Sequence, residues 1–276
     1  MSLPENLKKE FDGLACQRDE GFDSTKAAFL LSKALKPSKK IEQYAEKLEL
    51  IATNCADQVK HADRFDQKIK KYSHFLVESE GFHGDEEAYD DLDHMNLFSI
   101  LDTKCGTAMG LSLIYLHCAQ KCALQAEALN FPGHSLICLQ EGAERIIIDP
   151  FAKAVQLDAH DLRQFLKVIG GADVELNPKF YQGLSPKTLF MRHLNAVKAH
   201  FLRCMQMEKA LEMLQVLTAL QPKSATYWRE TGLLQARVGF MSEAANSLKT
   251  ALKYTTDPET IRHTQHIIDD IEKKPN

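Results

Sequence analysis

The chain has 276 residues, 44% of them hydrophobic and 26% charged, enough for two modest soluble domains. A net charge of −4 supplies no basic face of the kind nucleic-acid binding needs, and seven scattered cysteines in a chain this long exclude a disulfide framework. Charges in the leading MSLPENLKKEFDGL occupy the place of a signal peptide's apolar stretch, and no run approaches the roughly 18 apolar residues of a membrane helix, so a cytoplasmic protein with reduced thiols is expected.

Residues 1–77 read as a helical N-terminal region. Ala27, Ala28, Leu30, Leu31 and Leu35 follow helical spacing after the start signals Ser24 and Thr25. Pro37-Ser38 interrupts the pattern, Ile41–Ile51 resumes it, and a third run includes Phe65, Ile69, Tyr72, Phe75 and Leu76. Residues 78–95 are acidic, and Gly81 and Gly84 mark a solvated surface loop. The alternating oxygen ligands and central glycine of a calcium loop are missing there.

Gly106 opens an apolar helix over Ala108–Lys121. Three strands follow, Gln125–Leu129, Ser135–Leu139 and Arg145–Ile148, the last two joined through Glu141-Gly142. Leu-Ile-Cys-Leu and Ile-Ile-Ile are continuous apolar runs, so the sheet should be covered on both faces. Pro150 ends the last strand because it cannot donate to a ladder. A further helix is expected over residues 157–168, before Gly170-Gly171.

From Ser185 the chain repeats itself. An offset of 34 residues superposes Leu194 on Trp228, Ala210 on Ala244 and Leu214 on Leu248, the period of the tetratricopeptide (TPR) helical hairpin. Trp228, Gly232, Gly239, Ala244 and Ala251 fit the second unit well. The first has Lys198 where glycine is usual. Residues 259–272 provide a capping helix to cover the last apolar face.

One constellation carries chemistry. With Glu141-Gly142 as a two-residue turn, Gln140 faces Ala143 and His134 faces Asp149 on the same side, Cβ atoms about 4.5–5.5 Å apart. A carboxylate beside histidine fixes its tautomer and supports the imidazolium, the base-and-orienter half of a nucleophilic triad. The third member would be a thiol or hydroxyl at the start of the Gly106 helix, where the macrodipole lowers a thiol's pKa. Cys105 is close to that place in sequence. Cys118 and Cys122, with His117, lie on an apolar helix without a CxxC partner and read as core thiols. Ser112 lacks a nucleophile elbow. His263 and His266 read as members of a solvated face, and Trp228 as packing.

The segments Asn96-Leu97, Gly106, Leu111–Leu116, Asn130-Phe131-Pro132-Gly133-His134 and Asp149-Pro150-Phe151 resemble the bacterial SirB-type family of transglutaminase-like/TPR proteins, long labelled as invasion regulators. The resemblance continues through SPKTLFMRHLNAVKAHFLR and the repeats. It implies an α+β fold: a helical region (1–77), a transglutaminase-like, papain-like core with a small antiparallel sheet (78–182), and TPR-type α-hairpins with a capping helix (183–276). Catalytic members of the superfamily carry Cys, His and Asp in that order. His134 and Asp149 match the last two, and the nucleophile's place falls near Ala108, where SirB-type proteins usually have proline. Cys105 stands three residues early, on the order of 10 Å away in an extended approach at roughly 3.3 Å per residue.

The expectation is therefore a non-catalytic adaptor or regulator acting on a protein or peptide partner through its TPR helices and core groove, with no cofactor, metal or nucleic acid. The alternative is a cysteine-dependent amidase, protease or acyl transferase using Cys105, His134 and Asp149. A third reading, a DNA-binding regulator, lacks a basic recognition helix.

Overall fold

The computed structural model describes residues 3–86, 91–171 and 174–273. Two compact units divide the chain: one joins the residues up to Gln17 with those from Leu194 onward, and the other runs Arg18–His193. Among the described residues no helix is long and apolar enough to cross a membrane.

The first helix, α1 (Glu5–Ala15), buries Leu7, Phe11 and Leu14. These positions recur every three or four residues and so form one apolar stripe.

In the Arg18–His193 unit, α2 (Ser24–Leu35) begins at Asp23, whose carboxylate accepts the Lys26 N–H at 2.8 Å, a standard way of satisfying an orphan amide of the first turn. Next come α3 (Ile41–Val59), longer than its apolar pattern announces, and α4 (Phe65–His74). A single π turn, Phe75–Ser79, follows α4. Then come a 3-10 turn at Leu92–Met95 and α5 (Leu97–Thr103), capped by Asn96, which accepts the Phe98 and Ser99 N–H groups. The helix α6 (Ala108–Lys121) spans the residues expected of it, with Thr107 as its cap.

The acidic stretch is not a solvated loop throughout. Residues 87–90 lie outside the described residues, but both flanks are knitted into the unit. Phe82 and Met95 are buried, and the His83 N–H donates to the Lys104 carbonyl at 3.0 Å. Two apolar anchors outweigh the carboxylates between them.

Four antiparallel strands follow in the order β1 (Gln125–Ala128), β2 (Ile137–Glu141), β3 (Glu144–Asp149) and β4 (Val155–Leu157). Glu141 pairs with Glu144 and Ile137 with Ile148, so the turn is Gly142-Ala143 rather than Glu141-Gly142. Gly142 at φ +60° occupies the first central position, the place where a type II′ hairpin turn needs glycine. The register is thus two residues from the one expected. An even displacement leaves every side chain on its expected face.

Both faces of the sheet are covered, as the continuous apolar runs imply. Ile137, Leu139 and Ile148 join the main core with residues of α2 to α6, including Phe29, Leu48, Phe98 and Leu111. Buried residues between Ala28 and Leu76, among them Tyr44, Ile51 and Ile69, belong to this same cluster, so the core continues across the boundary expected at 77/78. On the opposite face Cys138 and Ile147 meet Leu162 and Leu166 of α7 (Ala159–Gly170). Asp158 caps α7 in a capping box with Asp161.

The helix α8 (Pro186–Arg203) crosses the division between the units. In the other unit α9 (Met207–Leu220), α10 (Ala225–Arg237), α11 (Met241–Leu252) and α12 (Pro258–Glu272) form successive hairpins, and α1 packs on α9. Gly232 allows α10 and α11 to approach: a Cβ there would lie 2.6 Å from Leu248 and 2.9 Å from the Ala244 carbonyl. At the equivalent place in the first hairpin, Lys198 is buried and pairs with Glu230 on α10, while its ammonium lies 5.6 Å from the Tyr227 ring. A buried, paired lysine therefore stands where glycine is usual.

Candidate functional site

His134 reaches the end of β3 from the turn that precedes β2. Gly133, at φ +69°, sets that turn, and a Cβ on it would meet Ile169 of α7 at 2.8 Å. Asp149 is the last residue of β3, only 2% exposed. His134 Nε2 lies 2.9 and 3.0 Å from its two carboxylate oxygens, and the Phe151 N–H donates to one of them at 2.9 Å. The pairing expected from sequence is present, as a diagonal contact beyond the strand end rather than a directly opposed pair.

The ring is packed as well as hydrogen-bonded. Phe151 meets it edge-on at 5.8 Å and Phe165 of α7 lies at 4.8 Å, leaving the His134 side chain 9% exposed. Phe151 is seated against Gly84, where any Cβ would come within 2.1 Å of its ring, and the Gly84 N–H donates to the Phe151 carbonyl at 2.9 Å. With Nε2 committed to the carboxylate, Nδ1 is the nitrogen left for proton exchange. Among the described residues no protein group hydrogen-bonds to it.

The start of α6 is tied to this pair through two hydroxyls. Ser112 donates to the carbonyl of Ala108 at 2.7 Å, and its oxygen lies 2.9 Å from that of Ser135, the neighbour of His134. Ala108 is the first residue of α6 and is buried. Its methyl group carries neither lone pair nor ionisable proton.

Cys105 sits elsewhere in the link between α5 and α6. Lys104 turns the chain with φ +66°. Cys105 then bridges His83, held by the His83 N–H to the Lys104 carbonyl and the Gly106 N–H to the His83 carbonyl. The thiol shares no hydrogen bond with His134 or Asp149 among the described residues. Its sulfur, a ring nitrogen of His94 and a carboxylate oxygen of Asp85 lie within 4.8 Å of one another. Burial, and then the charge of Asp85, push the Cys105 thiol pKa up, against the direction that makes a cysteine nucleophilic.

Cys118 is buried, and Cys122 Sγ lies 3.6 Å from Cys55 Sγ. His117 turns to Glu49 at 3.2 Å. Among the helical-tail residues, Arg229 donates to His263 Nδ1 at 2.8 Å, so that histidine is held rather than merely solvated. The Trp228 indole N–H donates to the Pro222 carbonyl at 2.8 Å.

Sequence reasoning missed the support around the pair: Phe165, Gly84 and the Ser112–Ser135 contact. Phe151 stands in the Asp-Pro-Phe motif, but nothing in the motif says that its ring packs on His134. His94 and Asp85, gathered at Cys105, lie in a stretch whose charge conceals its folded flanks.

Comparison with known proteins agrees with this architecture. Residues 42–195 match the transglutaminase-like superfamily and residues 197–268 the tetratricopeptide repeat. A UPF0162 protein of Xylella fastidiosa (strain 9a5c) is 21% identical, the match covering 94% of each chain. A UPF0162 protein of Vibrio cholerae is 24% identical over 78% of this chain and 81% of its own. Protein SirB1 of Salmonella typhimurium is 24% identical over 70% of this chain and 72% of its own. No solved structure matches. The chain belongs to the transglutaminase-like superfamily, among the SirB-type members that continue into TPR hairpins.

Proposed function

We propose that this protein acts by binding another protein, as an adaptor or regulator, and that its transglutaminase-like core no longer performs acyl chemistry. The observation that carries this reading is Ala108 at the head of α6, where the resemblance expects the nucleophile, together with a His134–Asp149 pair that keeps its hydrogen bond. A base and its orienter without a nucleophile can fix a turn but cannot form an acyl intermediate.

The amidase or acyl-transferase alternative needs Cys105 as a thiolate against His134. A buried thiol with a raised pKa and hydrogen bonds that hold its backbone to His83 weigh against that role. What remains suited to partners is the pair of TPR hairpins, since stacked helical hairpins offer an extended surface for a protein segment.

The test is turnover against binding. Purified chain is assayed on glutamine-containing peptides, with and without a primary amine, and on activated esters, in parallel with Cys105→Ser. No turnover above buffer in either protein is expected. A synthetic peptide from a partner that co-purifies with the chain is expected to give a saturable isotherm. Turnover that Cys105→Ser abolishes would overturn the proposal.

A further inference from the structure

Asp85, His94 and Cys105 are brought together by three separate pieces of chain. Hydrogen bonds from the His83 N–H to the Lys104 carbonyl (3.0 Å) and from the Gly106 N–H to the His83 carbonyl (3.1 Å) hold the approach to Asp85 against the α5–α6 link. The Thr107 N–H donates to the His94 carbonyl at 2.8 Å, fixing the 3-10 turn on the same link. A thiol, an imidazole and a carboxylate therefore converge on backbone that is already anchored, with their ligand atoms within 4.8 Å of one another.

Two further observations point to a ligand. His94 Nδ1 is buried and makes no hydrogen bond; the nearby Asp91 carboxylate, at 3.7 Å, is beyond hydrogen-bond length. A buried polar atom left without a partner has a cost that a ligand can remove. Cys105 is 8% exposed, which leaves little room for a substrate to reach the sulfur but suits a group enclosed by its donors.

We infer that Asp85, His94 and Cys105 form a binding site for a divalent transition-metal ion of the zinc class. The donor set decides the class: thiolate and imidazole select zinc-like ions over calcium or magnesium, which take oxygen. Around a tetrahedral zinc, with bonds of about 2.3 Å to sulfur and about 2.0–2.2 Å to nitrogen and oxygen, donor atoms stand roughly 3.4–3.6 Å apart. Closure from the observed separations is of the order of an ångström, within reach of side-chain rotation. Three protein donors leave a fourth position for water. The thiolate and carboxylate together balance the charge of the ion. This site is distinct from the His134–Asp149 pair, and the inference does not depend on the adaptor reading.

The test uses the full chain stripped with a chelator and titrated with Co²⁺, which replaces zinc and reports a cysteine ligand through a thiolate charge-transfer band. Expected are one ion per chain and a band lost in Cys105→Ser. Affinity should fall at least about tenfold in His94→Gln and in Asp85→Asn, the lower end of what loss of even an outer-shell partner costs. Cys204→Ser is the control, since the exposed Cys204 sulfur lies 3.6 Å from His200 Nε2; it should keep the band. Circular dichroism establishes that each variant is folded, and the exposed, isosteric Asp85→Asn reads the site even where a core change perturbs it. No stoichiometric binding, a band that survives Cys105→Ser, or wild-type affinity in both His94→Gln and Asp85→Asn overturns the inference.

Discussion

Replacing Asp149 by alanine removes the carboxylate that holds His134 and the Phe151 turn together. Two donors lose their acceptor: the His134 ring nitrogen at 2.9 Å and the Phe151 N–H at 2.9 Å. Hydrogen bonds to a charged group contribute about 1.5–3 kcal/mol each, and breaking a buried pair from one side costs about 3–5 kcal/mol. With Asp149 2% exposed, water cannot readily take its place, so a loss of about 3–5 kcal/mol is expected for local opening of this turn. At about 1.4 kcal/mol per tenfold, hydrogen-exchange protection of amides in β3 and at Phe151 should fall by two to three orders of magnitude or more. Asp149→Asn, which keeps an acceptor for one donor, should lose about half as much free energy. In a double-mutant cycle with His134→Ala the coupling should be about 1.5–3 kcal/mol. Additivity within about 0.5 kcal/mol, or protection lowered less than threefold, would refute the view that this pair fixes the turn.

Two further outcomes follow from the packing. Burial holds the His193 pKa down to about 4, opposed by a hydrogen bond with the Met95 backbone. The unfolded value is about 6.5, so the unfolded chain binds the proton first. The stability due to the neutral ring is complete above pH 6.5 and is lost as pH falls from 6.5 through 4, in total about 3 kcal/mol; urea titrations across that range should show a flatter dependence in His193→Asn. Gly232→Ala should destabilise the α10–α11 hairpin by about 1–3 kcal/mol, because the new methyl meets Leu248 at 2.6 Å and the Ala244 carbonyl at 2.9 Å; Trp228 fluorescence during unfolding reads the change, and an unaltered midpoint would contradict it.

Local rules read the regular elements well. The apolar run after Thr107 marks α6 to both ends, and the 34-residue offset locates α9 and α11 through Ala210 and Ala244. Rules of spacing reached the His134–Asp149 contact for a sound reason: an even register displacement preserves the face, although the turn itself was cut one residue early. What stayed hidden depends on partners distant in sequence. The helical stripe of Leu7, Phe11 and Leu14 is visible, but its seat on α9 is not. The short β4 escaped because Lys153 and Ala154 turn the chain at φ +54° and +53°, with no glycine to signal it. The acidic stretch hid its fixed ends, since charge reports solvation of the middle rather than anchoring by Phe82 and Met95. Cys105 could be ranked as displaced from the nucleophile's place, yet its company with His94 and Asp85 comes from backbone hydrogen bonds that spacing does not encode.

A thiol activated by His134 would make this core catalytic. The direct measurement is the alkylation rate of Cys105 against pH, with chelator present, in the wild-type chain and in His134→Ala, each modified peptide being quantified by mass. A buried thiol with a raised pKa predicts slow labelling below the ordinary thiol range of about 8.5, with the same profile in both proteins. Rapid labelling near pH 6 that disappears in His134→Ala would contradict it.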